Sequence, residues 1–165
     1  MDKRNRPALA YLLVGVAAAG RAFLAMPDAT ALQEVSLTVL ALVGYLLLGR
    51  QALPALACGT GELVLELVLC GTLTGPAWLA PLLRAVALWL LWATVVQMLK
   101  IAGYTEGKNA KMPLAAAVPL AVYCVAHFFL AAATVAAFAF IVFSILLLWY
   151  AVLLLRAYNT ARVKK

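Results

Sequence analysis

The chain is short of acid and of the residue types that most enzymes use. Among 165 residues there are 6 Asp and Glu, 13 Lys and Arg and 1 His. The only aspartates are Asp2 and Asp28, both outside the long apolar runs, which excludes an intramembrane aspartyl protease. One histidine cannot supply two axial haem ligands. No cysteine pair has CxxC spacing. Cys58 and Cys70, on one helix, would stand about 18 Å apart, and a disulfide needs Cα atoms within about 7 Å. With Cys124 they read as small apolar residues. P-loop, HExxH, GxSxG and strand-linked GxGxxG motifs are all missing. No ATP hydrolysis, cofactor or metal centre is therefore expected. The nearest approach to a ligand set, Glu62, Glu66 and His127, lacks a ligand spacing.

Charge of either sign is scarce, at 12% of residues, about half the usual share. Hydrophobic residues make up 67%, and the mean hydropathy is +1.05. A domain this small buries only about 60–70% of its surface, so the excess apolar surface must face lipid. The net charge of +7 does not point to nucleic acid. Lys3, Arg4 and Arg6 precede the first apolar run, and Arg50, Lys100, Lys108, Lys111, Arg156, Arg162, Lys164 and Lys165 sit in or beside polar gaps. That is a topology pattern. The basic tail is also suited to anionic lipid.

A membrane helix needs about 20 mainly apolar residues. Runs at 7–26, 33–49, 52–70 and 77–100 meet or approach that length. Residues 1–19 have the layout of a secretory signal; read as part of the mature chain, they open the first span. The stretch 113–155 as one helix would be about 63 Å long, twice the ~30 Å hydrocarbon core. It is expected to fold back at 131–134 into spans at 113–131 and 135–155. Basic residues then flank every predicted inner segment, and the predicted outer loops have none. Trp78 falls at the outer interface and Trp149 and Tyr158 at the inner one. The fold expected is a single all-α transmembrane domain, 1–165: about six helices in three hairpins, both termini cytoplasmic, in the cell (inner) membrane. Pro-Ala-Leu-Ala at Pro7 and Pro54 and Pro-Leu-Ala-Ala at Pro113 are chance likenesses in a chain rich in Ala and Leu, not a repeat.

Ionisable residues inside spans are costly and mark functional sites by default. Counting 1.5 Å per residue from the loops, Arg21, Glu66, Arg84 and His127 lie roughly 6–11 Å below the outer edge. Glu62 lies one turn deeper, on the same helix face as Glu66, and Glu34 near the outer end of the second span. Each has a bland reading. Arg21 snorkels to headgroups, Glu66 and Arg84 pair across their loop, and His127 is a hydrogen-bonded structural residue. Glu62 is too deep to snorkel and has no cation at its own depth, so it is either protonated or faces water. Tyr11, Tyr45, Gln97 and Lys100 read as interface anchors.

These positions lead to a binding or transport protein for a small polar solute or lipid headgroup. Its outward-facing cavity is lined by Glu62, Glu66, Arg84, Arg21 and His127. The arginines would hold an anionic group, and the glutamates a cation or a proton. In size and topology such a chain is similar to the small substrate-binding membrane subunits of energy-coupling vitamin transporters. That resemblance implies a six-helix fold with an outward pocket. One alternative is an intramembrane lipid-modifying enzyme with Glu62 or Glu66 as acid or base. The other is a non-catalytic structural subunit, close-packed through Gly15, Ala19 and Gly44. Expected partners are membrane lipids, a second copy of the chain, or a subunit docking at 102–112.

Overall fold

The computed structural model describes residues 6–24, 31–70, 78–127 and 132–163. Among these residues it is all-helical, with α1 (Arg6–Leu24), α2 (Ala31–Leu48), α3 (Leu53–Cys70), α4 (Leu79–Ile101), α5 (Met112–His127) and α6 (Ala133–Val163). Four segments are long and apolar enough to cross a membrane: Leu32–Cys70, Leu79–Ile101, Asn109–His127 and Ala133–Val163. The first, of 39 residues, contains both α2 and α3.

Turn chemistry sets the helix limits. Gly49 has φ +65°, a left-handed value open to glycine at little cost. It ends α2 and starts the short 3-10 turn Gly49–Ala52. α3 then runs back along α2. A Cβ on Gly59 would stand 3.0 Å from Leu42 and 3.1 Å from Tyr45, so glycine there is what lets the two helices approach. After α4, Gly103 and Gly107 again take positive φ, and a 3-10 turn Lys108–Lys111 leads into α5. Pro113 sits in the first turn of α5, where its missing N–H leaves no bond unmade.

The fold-back in the last apolar stretch is present. The rings of Tyr123 on α5 and Phe140 on α6 lie 5.1 Å apart, so the chain reverses between them. Of the expected turn, Ala131 lies outside the described residues, and Ala133 and Thr134 already belong to α6. α5 is described as far as His127, and α6 runs on to Val163 rather than ending near Leu155. The basic segment from Arg156 to Arg162 is therefore helix, not tail.

Each helix packs on the next in sequence, and α6 returns to α1. The buried side of α1 is built from small residues, Ala10, Ala17, Ala18 and Ala22, around Tyr11 and Val14. Gly44 on α2 meets it so closely that a Cβ would stand 2.6 Å from Val14 Cγ2 and 3.1 Å from the Ala10 carbonyl oxygen. Gly15 faces α6 at ordinary contact distance. The core is completed by Leu91, Val95 and Met98 of α4 and Phe143, Leu147 and Tyr150 of α6.

One end of the bundle is basic, carrying Arg50, Lys100, Lys111 and Arg156. Side chains hold it together. The Tyr11 hydroxyl donates to the Ile101 carbonyl (3.3 Å) and the Tyr104 hydroxyl to the Leu153 carbonyl (3.0 Å). Trp92 Nε1 donates to the Pro113 carbonyl (2.8 Å), linking α4 to α5. Tyr11 is thus a bonded core residue, and Tyr45 is buried against Gly59. Neither is the interface anchor expected from its position in the chain. The opposite end, where α1 stops at Leu24, α3 at Cys70 and α5 at His127, holds the charged residues of interest.

Candidate functional site

Three neighbouring helices bring polar side chains to one buried point. On α2, Glu34, Thr38 and Tyr45 follow helical spacing and share a face. On α3, Glu62 and Glu66 do the same. Arg21, in the last turn of α1, reaches across to both. Its Nη1 donates to Glu62 Oε1 at 2.6 Å, and its Nη2 to Glu66 Oε1 at 3.3 Å and to the Thr38 hydroxyl. The Thr38 hydroxyl lies against Glu66 Oε2 and also 3.0 Å from the Glu34 carbonyl, a helical back-bond one turn away. With one proton, it donates to one of these at a time. The cluster is buried: the Arg21, Glu62 and Glu66 side chains are 10%, 5% and 11% exposed.

A second pair stands apart. Arg84 Nη2 on α4 lies 3.4 Å from Glu34 Oε1 on α2, with the side chains 52% and 38% exposed. His127 ends α5 with its ring stacked on Tyr123, centroids 5.3 Å apart.

All five expected site residues, with Glu34, line one cavity of about 400 Å³ at this end of the bundle. Every helix contributes to its wall. Away from the charges the wall is mostly apolar, made by Leu88, Leu91, Phe140, Phe143 and Leu147 with Ser144 among them and Cys70 near the end of α3. The volume falls in the range of small-molecule pockets, about 300–1,000 Å³. Among the described residues the buried Tyr150 hydroxyl of α6 has no hydrogen-bond partner.

The partners differ from those expected. Glu66 does not pair with Arg84; it turns to Arg21 and Thr38, and Arg84 turns to Glu34. Arg21 does not snorkel outward but points inward to Glu62, which therefore has a cation at its own depth. Counting depth along the chain omits both the several-ångström reach of an arginine and the direction in which each side chain leaves its helix. Thr38 was missed altogether. Its signal was present in the sequence as the i+4 neighbour of Glu34, on the same face of α2.

Among the described residues no group of His, Cys, Asp and Glu is placed to hold a metal ion. No family model, curated protein or solved structure matches the chain.

Proposed function

We propose that the chain is a six-span membrane protein that binds or transports a small polar solute or lipid headgroup through this cavity. The observation that carries the reading is the cavity itself: about 400 Å³, walled by every helix, with ionisable residues at its floor and rim. A charge network needed only to join helices would be expected to close on itself and leave no room. In this reading the basic end is cytoplasmic, as the positive-inside rule requires, and the cavity opens to the outside. The 102–112 segment then lies on the cytoplasmic side, where a partner subunit would dock, and a second copy of the chain remains another candidate partner.

A purely structural role is the second reading, favoured by one observation: Arg21, Thr38, Glu62 and Glu66 tie α1, α2 and α3 together. The enzyme reading is weaker, because both glutamates are already held by Arg21.

Cys70 separates the two leading readings, being exposed and part of the cavity wall. In a background with Cys58 and Cys124 replaced by alanine, an impermeant thiol reagent added outside cells should modify Cys70. It should also modify cysteines introduced at Asp28, Thr74 or Thr134, but not one at Asn109. Mass spectrometry of the purified protein would identify co-purifying solutes, and a solute that occupies the cavity should slow the Cys70 reaction. Modification of Asn109→Cys from outside would overturn the topology. A Cys70 rate indifferent to every co-purifying compound would favour the structural role.

A further inference from the structure

We propose that the cavity takes an organic cation: one positive charge carried on an apolar body. This rests on the solute-site reading above and names the class of solute.

Charge balance is the first ground. The cavity contains two guanidiniums, Arg21 and Arg84, and three carboxylates, Glu34, Glu62 and Glu66. Arg84 is matched by Glu34 at the rim. At the floor one guanidinium faces two carboxyl groups, so with both ionised the floor carries one negative charge in excess. A buried charge without a counterion is costly, and a ligand that brings a single positive charge removes that cost. An anion meets the opposite situation. An acid approaching Arg21, whose terminal nitrogens already donate to Glu62, Glu66 and Thr38, would meet two carboxyl groups standing beside the guanidinium.

The second ground is an open acceptor. Among the described residues Glu62 is hydrogen-bonded through Oε1 alone, and its side chain is 5% exposed and lines the cavity. Among these residues Oε2 has no hydrogen-bond partner. The floor therefore presents a free carboxylate oxygen to whatever fills the space.

The third ground is the wall. Leu88, Leu91 and Leu147 offer only apolar contact, and Phe140 and Phe143 add aromatic side chains to the lining. Aromatic faces attract organic cations, the more so where water is excluded. A strongly hydrated inorganic cation would gain nothing from such a wall.

The test uses the full chain purified in detergent and three matched probes. These are benzyltrimethylammonium, its uncharged carbon analogue neopentylbenzene, and the anion benzenesulfonate. Equilibrium dialysis should show saturable binding of the ammonium, at least tenfold tighter than the neutral analogue, and no saturable binding of the sulfonate. Glu62→Gln and Glu66→Gln each remove the excess charge and should each weaken ammonium binding at least tenfold. If either variant fails to fold, the ranking of the three probes on the wild-type chain still decides. Preference for the sulfonate would overturn the cation assignment while leaving a solute site in place. Equal binding of the ammonium and its neutral analogue would also overturn it. Binding of none of the three would overturn both the assignment and the solute-site reading.

Discussion

Arg21 and Arg84 line the same cavity, and each pairs with glutamate from another helix of the bundle, yet their surroundings are opposite. Arg21 is nearly sealed, bonded through two nitrogens to three side chains on two helices. Arg84 reaches one carboxylate at 3.4 Å, with half of its side chain exposed. The first arrangement fixes α1 against α2 and α3; the second can open at little cost. Identical residue types at similar distance from the bundle end thus serve as a fixed floor and a loose rim. The difference comes from the small-residue packing beside Arg21. Ala17, Ala18 and Ala22 on α1 are buried, and α1 packs closely on α2.

The largest effect should come from breaking the floor. We predict that Arg21→Met, which strands two buried carboxylates, destabilises the protein by about 3–5 kcal/mol. Adding Glu62→Gln should recover part of that loss. Unfolding midpoints of the four proteins of this double-mutant cycle, measured in detergent, provide the check, and strict additivity would mean that the pair contributes nothing as a pair.

A smaller loss is expected from Thr38→Val, which keeps the shape of the side chain but removes the hydroxyl between Arg21 and Glu66. Leaving those partners one bond short should cost about 1–3 kcal/mol. Thr38→Ser, which keeps the hydroxyl, should recover most of it. If Val and Ser behave alike, the hydroxyl is not part of the network.

The smallest change is expected at the rim. Arg84→Gln and Glu34→Gln should each alter stability by about 0–1 kcal/mol, as for exposed ion pairs. A loss comparable to that of Arg21→Met would show that the rim is as rigid as the floor, and the contrast between the two would disappear.

Which ionisable residues line the cavity was largely readable from the chain, because a charge inside an apolar run is conspicuous. Arg21, Glu62, Glu66, Arg84 and His127 all stand out by that criterion, and all line the cavity. Which residue partners which was not readable. Pairing Glu66 with Arg84 follows from counting equal steps from their shared loop, but a helix turns about 100° per residue, so equal depth says nothing about facing. Thr38 went unnoticed because a lone threonine in an apolar helix is ordinary until an arginine from another helix is seen to reach it.

The sequence by itself determined the class of the protein: apolar runs separated by basic gaps, in a chain too small to hide so much apolar surface, leave only a membrane helix bundle. The fold-back after α5 follows from the same reasoning, since one helix of that length would be twice the width of a bilayer. Only the tertiary structure decided that α6 closes against α1, that Arg21 serves two glutamates and Arg84 a third, and that a cavity remains between them. The physical reason is that burial along a helix is a one-dimensional property, legible from hydropathy. Contact between helices depends on rotation about each axis and on where glycine and alanine permit close approach, and those are fixed only when all the helices pack together.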